Sequence, residues 1–252
     1  MLTNQDLEQA LAAIRTTAPV RAEEVTASTN AAAAAMAAAG DPEWTIVAAG
    51  HQTEGRGRLD RTWEDVAGHA LLVSFVLRPT IPPNKTGLLA LLAGASMAGA
   101  IRKVAGRRVT CKWPNDLLLN GQKVGGILLE SSVSQGRVDW VVVGVGVNLQ
   151  APEGVEDAVG IGEVPMRDLL IAFLQAFRTD YDAVEPSLGD RVKRSWLTIS
   201  ATIGRLVEAT SVSGEVVQGR AVGVDDFGSL QLSTDTGEVR IAFGDIEHLD
   251  ER

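Results

Sequence analysis

Apolar and polar positions along this chain change period several times, and each change marks an element. Leu7, Leu11 and Ile14 recur at helical spacing behind Thr3 and Asp6, the two members of a capping box, so a helix is predicted over 4–15, stopped by Pro19. Ser28, Thr29 and Asn30, three good N-cap residues in a row, precede an alanine run; this predicts a second helix, ended by Gly40, Asp41 and Pro42. Strands are predicted at 44–49 and 69–77, and an Ala/Leu-rich helix at 87–104. Residues 109–113 read as a strand that stops at Pro114, and Leu117 to Leu119 as another. Asn120-Gly121 then leads into a third strand over 122–132, because both central positions of a type I′ turn need φ > 0. The near-continuous apolar run 138–147 predicts a strand covered on both faces. Helices are predicted at 166–184 and 189–197. From Thr202 onward short apolar runs alternate with turn signals at 225–228 and 235–237, the pattern of a small β-barrel. The chain therefore reads as an α+β domain over 1–200 and a small β-barrel domain over 201–252.

Composition narrows the function classes. The 252 residues are 45% hydrophobic and carry one cysteine and a formal charge of −9. That charge argues against a nucleic-acid partner, which needs an extended basic face. A lone cysteine forms no internal disulfide, which fits a reducing cytoplasm. The first residues lack the basic start and apolar core of a secretory signal, and the apolar run 87–101 is shorter than the ~20 residues of a membrane span. A cytoplasmic protein with no membrane partner is expected.

Several features carry candidate chemistry. Gly125 and Gly126 interrupt one predicted strand, while Gly144 and Gly146 lie two apart on another and so share a face. Glycine weakens a strand, so such pairs mark close approach to the backbone. Lys112 ends a strand beside this hairpin and is a candidate to neutralise an anion; the alternative is an ordinary hairpin with a solvated lysine. Residues 51–63 have no apolar periodicity. There Gly55-Arg56-Gly57-Arg58 combines approachable backbone amides with guanidinium groups suited to carboxylate or phosphate, against the alternative of a solvated loop. Ser28 to Asn30 offer more polar groups than one cap uses, at a helix end that favours polar or anionic ligands. Cys111, on an apolar strand, fits a small core residue better than a nucleophile.

Absent motifs matter as much. The sequence has no P-loop, no G-x-G-x-x-G, no G-x-S-x-G elbow and no His/Cys spacing that suits zinc. Arginine-glycine loops without a nucleophile suit catalysis by positioning and charge compensation, as when two anions must be joined.

Gly55-Arg-Gly-Arg58, Lys112-Trp-Pro-Asn-Asp116, Lys123-Val-Gly-Gly-Ile127 and Gly144-Val-Gly-Val-Asn148 occur in this order, and with them the chain resembles the biotin protein ligases over nearly its whole length. The resemblance implies a mixed central β-sheet flanked by helices, of the class II synthetase and biotin/lipoate ligase type, with an SH3-like C-terminal barrel. It implies that biotin and ATP, with Mg²⁺ assisting, give biotinyl-5′-AMP. Biotin then passes to a specific lysine of a biotin carboxyl carrier domain, naturally that of an acyl-CoA carboxylase. Matched motif by motif, Ser28, Thr29, Asn30 and Gln52 would hold the ureido end of biotin with the backbone of Arg56 and Gly57. Gly125, Gly126, Gly144 and Gly146 would leave room for its bicyclic ring. Arg58 and Lys112 would neutralise the carboxylate and α-phosphate, while Arg61, Trp63, Asn115 and Asn148 would lie on the nucleotide side. The motifs assign neither protein ligands for Mg²⁺ nor an oligomeric state.

One position departs from the family pattern: Asp60 stands where the arginine loop usually has another glycine, so Asp60→Gly is expected to change how tightly the intermediate is retained. Too few residues precede Ser28 for the DNA-binding head of repressor-type members, which favours a single-function ligase. A lipoate ligase or transferase of the same fold, or a non-catalytic biotin-binding module, are the rival readings.

Overall fold

The computed structural model describes residues 1–59, 61–181, 188–211, 214–242 and 244–249. Along the chain the elements are α1 (Asn4–Ala13), β1 (Val20–Thr26), α2 (Thr29–Ala38), β2 (Ile46–Gln52), β3 (Ala70–Leu77), α3 (Gly87–Ala105), β4 (Val109–Lys112), β5 (Asp116–Leu119), β6 (Gln122–Ser134), β7 (Arg137–Asn148), α4 (Met166–Asp180) and α5 (Leu188–Leu197). Five strands follow: β8 (Leu206–Ser211), β9 (Val216–Val224), β10 (Leu230–Thr234), β11 (Gly237–Ile241) and β12 (Gly244–His248).

The first seven strands form one mixed sheet in the order β1-β2-β3-β7-β6-β5-β4, with β1 parallel to β2 and the other neighbours antiparallel. Every position of β3 is buried, so this strand has both faces covered. On one face Ala33 and Ala37 of α2 pack on Val47, Val76 and Val142. On the other face α3 and α4 cover the sheet, and Phe75 meets Phe177 edge-on with ring centroids 5.3 Å apart. The segment Pro83–Ala105 is long and apolar enough to cross a membrane by composition, contrary to the expectation from the sequence. Its Leu88, Leu92, Met97 and Ile101 are buried in the core, which accounts for that composition.

The last five strands form an antiparallel sheet ordered β11-β10-β9-β8-β12, with Val207, Ala221, Leu230, Leu232 and Ile246 inside. It is seated on β4. The Cys111 N–H donates to the Ile199 carbonyl at 2.8 Å, the Ala201 N–H to the Cys111 carbonyl at 2.8 Å, and the Trp113 indole N–H to the Gly228 carbonyl at 3.0 Å. The boundary expected near Ser200 thus lies on a seam shared by both sheets, crossed by one continuous core.

Local chemistry explains most element ends. Thr3 and Asp6 form the expected capping box at α1: the Thr3 N–H donates to Asp6 Oδ2 at 2.9 Å and the Asp6 N–H to Thr3 Oγ1 at 3.2 Å. Thr3→Ala is therefore expected to cost about 1 kcal/mol, read as a lower urea midpoint with an unchanged m-value. Asn120 (φ 53°) and Gly121 (φ 85°) make the expected type I′ turn. Two strands were not expected from the sequence. The first, β1, has only Val20 and Val25 as branched apolar residues, without period-2 alternation, and is partly exposed along its length, since it lies at the sheet edge. The second, β12, is only five residues long and alternates Gly244, Ile246 and His248 inward. The predicted helix over 166–184 ends at Asp180, and its residues 182–184 lie outside the described residues.

Candidate functional site

The face of the sheet that carries α2 also carries the site. Strand register aligns Leu72, Gly146, Gly126, Asp116 and Lys112 in one row from β3 to β4, and Ser74, Gly144 and Leu128 in a parallel row. The missing side chains make room for other parts of the protein. A Cβ at Gly144 would lie 1.9 Å from Asn30 Oδ1, and one at Gly146 would lie 2.7 Å from a ring carbon of Trp63. Asn30 and Trp63 therefore stand on bare backbone and become walls of a cavity between them. Gly126 faces the same cavity. Gly125 does not, which corrects the expectation from the sequence. A Cβ there would meet the Gly146 carbonyl at 2.6 Å and the side chains of Leu117 and Val147 in the core, so this glycine serves packing within the sheet.

At one end the cavity is neutral and rich in hydrogen-bonding groups. Ser28 is the N-cap of α2 and accepts from the Ala31 N–H at 3.4 Å; Thr29 and Asn30 lie in the first turn. The Thr29 N–H and hydroxyl both donate to Gln52 Oε1, at 2.8 and 3.0 Å, so the glutamine amide nitrogen is left to serve a ligand. Ser74 Oγ lies 2.8 Å from Thr29 Oγ1 and 2.6 Å from Asn30 Oδ1 and fixes both. Sequence reasoning passed over Ser74; the signal was a serine inside an otherwise apolar, fully buried strand.

The other end is cationic. Residues 55–59 and 61–63 form the two limbs of a small hairpin, with the Trp63 N–H donating to the Gly55 carbonyl at 2.9 Å and the Gly57 N–H to the Arg61 carbonyl at 2.6 Å. A Cβ at Gly55 would sit 2.3 Å from the Trp63 carbonyl, so the two limbs can close only around glycine. Arg56 pairs with Glu130 at 3.2 Å. Arg58 donates to the Gly244 carbonyl at 2.8 Å, and burial lowers its pKa from the usual guanidinium value, partly offset by Asp245 and Asp116. Arg61 pairs with Asp245. Asp60, where a departure from the family pattern was noted, lies outside the described residues.

Lys123 lines this end, while Lys112 stands one strand further along the same row, beside Asp116. The pairing of β5 with β6 slips by one residue between Leu117 and Leu118, which leaves Val124 as a bulge. In a regular strand Lys123 and Gly126 would face opposite ways; the bulge brings both to the cavity. There Lys123 Nζ lies 2.7 Å from Asp116 Oδ1. Lys112 stands on the edge strand, at the far end of its row, and does not line the cavity. Asn148 does not line it either, although its buried Oδ1 lacks a hydrogen-bond partner. Asn115 does: its side chain donates to the Ile127 carbonyl at 2.8 Å. The Trp63 indole N–H is buried without a partner. Cys111 is a core residue whose thiol burial pushes up to about 12, far from a nucleophile at neutral pH.

The cavity measures about 110 Å³, below the roughly 300–1,000 Å³ of most small-molecule sites, because Trp63 lies over Gly126 and Gly146. A second cavity of about 420 Å³ adjoins it and shares Arg58, Asn115 and Ile127. Among the described residues no three His, Cys, Asp or Glu side chains gather as a metal site, and the two carboxylates on the cavity, Asp116 and Asp245, are each paired with a cation. The described residues thus offer no cage for a resident metal. The arrangement suits joining two anions: a donor-rich neutral pocket, with Arg56, Arg58, Arg61 and Lys123 beyond it and no activated nucleophile among the described residues.

Known proteins share this organisation. Residues 23–148 match the biotin/lipoate A/B protein ligase family, and residues 202–249 match the biotin protein ligase C-terminal domain. The chain is 35% identical over 239 residues to a biotin–[acetyl-CoA-carboxylase] ligase of Mycobacterium tuberculosis, covering 89% of this chain and 86% of that one. It is 34% identical over 235 residues to the bifunctional ligase/repressor BirA of Bacillus subtilis, covering 89% and 72%. In fold it is similar to the Aquifex aeolicus biotin protein ligase solved in complex with biotin and ATP, with a TM-score of 0.69 over 91% of this chain and 99% of that one at 22% identity. The mixed sheet, the arginine hairpin and the C-terminal sheet together make this chain a member of the biotin protein ligase family.

Proposed function

We propose that this protein activates biotin with ATP to biotinyl-5′-AMP and transfers biotin to a specific lysine of a biotin carboxyl carrier domain, that of an acyl-CoA carboxylase. The observation that carries the reading is the order of polarity across one cavity, from Ser28, Thr29, Asn30 and Gln52 to Arg58, Arg61 and Lys123. A ureido group, with two N–H donors and a carbonyl, satisfies the neutral end. The carboxylate then points toward the cations. In the first step a carboxylate oxygen forms a bond to the α-phosphorus, the bond to the β-phosphate bridging oxygen breaks, and pyrophosphate leaves. Arg58 and Lys123 offset the charge of the two anions as they meet. In the second step the carrier amine attacks the acyl carbon and AMP leaves with the bonding pair. Mg²⁺ enters as the companion of ATP, its oxygen ligands supplied by the phosphates and water.

The lipoate reading is disfavoured by the same end of the cavity. A dithiolane ring offers nothing to Asn30, Thr29 and Gln52, and buried polar groups left unpaired reject such a ligand. Incubation with ATP, biotin and a carrier domain should add the mass of one biotinyl group to the carrier, measured on intact protein. Pyrophosphate release as fast with lipoate as with biotin would overturn the assignment.

A further inference from the structure

The C-terminal sheet does more than sit beside the catalytic domain, because its last strand reaches into the cavity. Asp245 of β12 lines the wall and pairs with Arg61, and the carbonyl of the preceding residue, Gly244, takes one N–H of Arg58. Both arginines belong to a hairpin whose flanks are pinned on the catalytic side, by the Thr53 and Glu54 N–H groups donating to the Thr26 and Ala27 carbonyls and by Trp63 seated on Gly146, while Arg58 and Arg61 reach the C-terminal sheet. On the catalytic side the hairpin's side chains are held by the packing of Trp63 and by one ion pair, of the half-exposed Arg56 with Glu130. A guanidinium has five donors in a fixed fork, so one acceptor can aim it while leaving the others for a ligand. Groups held by such neighbours are pre-organised, and their positioning contributes to affinity.

We propose that Asp245 is a positioning residue for the nucleotide: together with the Gly244 carbonyl it anchors the arginine hairpin to the C-terminal sheet and aims Arg58 and Arg61 at the phosphates. The inference rests on the reading that this cavity takes ATP. Asp245 holds Arg61 and the Gly244 carbonyl holds Arg58, both at the cationic end of the cavity, so the anchor acts on ATP more than on biotin. The opposite possibility, that Asp245 competes with the phosphates for Arg61, predicts a change of the other sign.

Two measurements on the full chain test it, each comparing wild type with Asp245→Asn and Asp245→Glu. The first is limited trypsin digestion without ligands, with cleavage after Arg56, Arg58 and Arg61 followed by mass spectrometry. The second is the KM for ATP in biotin-dependent pyrophosphate release, alongside the biotin Kd by calorimetry. Asp245→Asn should speed cleavage of the hairpin and raise the KM for ATP by about fivefold or more, with a clearly smaller change in the biotin Kd and Asp245→Glu close to wild type. Unchanged cleavage of the hairpin would overturn the proposal. So would an unchanged or lowered KM for ATP, or equal losses for ATP and biotin, the mark of a merely structural residue. A wild-type protein without biotin-dependent pyrophosphate release would count against the proposed function instead, and the cleavage comparison would still decide whether the anchor exists.

Discussion

Lys123→Ala is expected to lower kcat/KM for biotin-dependent pyrophosphate release by a factor on the order of 10²–10³, while biotin still binds. The lysine lies on the cavity, 2.7 Å from Asp116, and both are held by the bulged pairing of β5 with β6. Its removal takes away a positive charge where carboxylate and phosphate must come together. It also leaves Asp116 as an unpaired anion facing the incoming ones, so the loss exceeds that of a single hydrogen bond. Lys112→Ala is the comparison: that residue ends the same row of side chains on the edge strand, beside Asp116 but outside the lining of the cavity, and its loss should cost less activity than that of Lys123. Steady-state kinetics of the two variants separate the readings, and the opposite order of effects would return the role to Lys112.

This exchange of lysines shows where the sequence was legible. Period-2 and helical patterns, the capping box and the Asn120-Gly121 turn depend on neighbours in the chain, and they place most elements within a few residues. The polar start of α2 and the arginine-glycine stretch were legible for the same reason: N-caps and glycine-dependent turns are local chemistry. A bulge is not local. The slip at Val124 depends on how β5 pairs with β6, and it alone decides that Lys123 faces the cavity. The same holds for Gly125, which reads like Gly126 in sequence but faces the core. Asp245 belongs to a short strand that becomes recognisable only when it pairs with β8, across some thirty-odd residues of intervening chain. Ser74 was overlooked because an apolar run hides one serine, whose importance comes from Thr29 and Asn30 above it.

Gly144→Ala is expected to weaken biotin binding by about 10- to 100-fold, through the loss of one or two hydrogen bonds at a buried site. The new methyl carbon would stand 1.9 Å from Asn30 Oδ1, so the asparagine has to leave its seat. It is 4% exposed, its oxygen lies 2.6 Å from Ser74 Oγ and its nitrogen donates to the Leu128 carbonyl at 3.4 Å, so no alternative rotamer keeps both partners. Overpacking of this kind also costs about 1–3 kcal/mol of stability, which urea unfolding would report separately from the Kd. Gly146→Ala provides the contrast. There the methyl meets the Trp63 ring, which belongs to the arginine hairpin, and leaves Asn30 in its seat. That variant should therefore affect ATP more than biotin. Calorimetric titration of both ligands into both variants distinguishes the two ends of the cavity. An unchanged biotin Kd in Gly144→Ala would show that Asn30 does not touch biotin, and the neutral end would then lose its central residue.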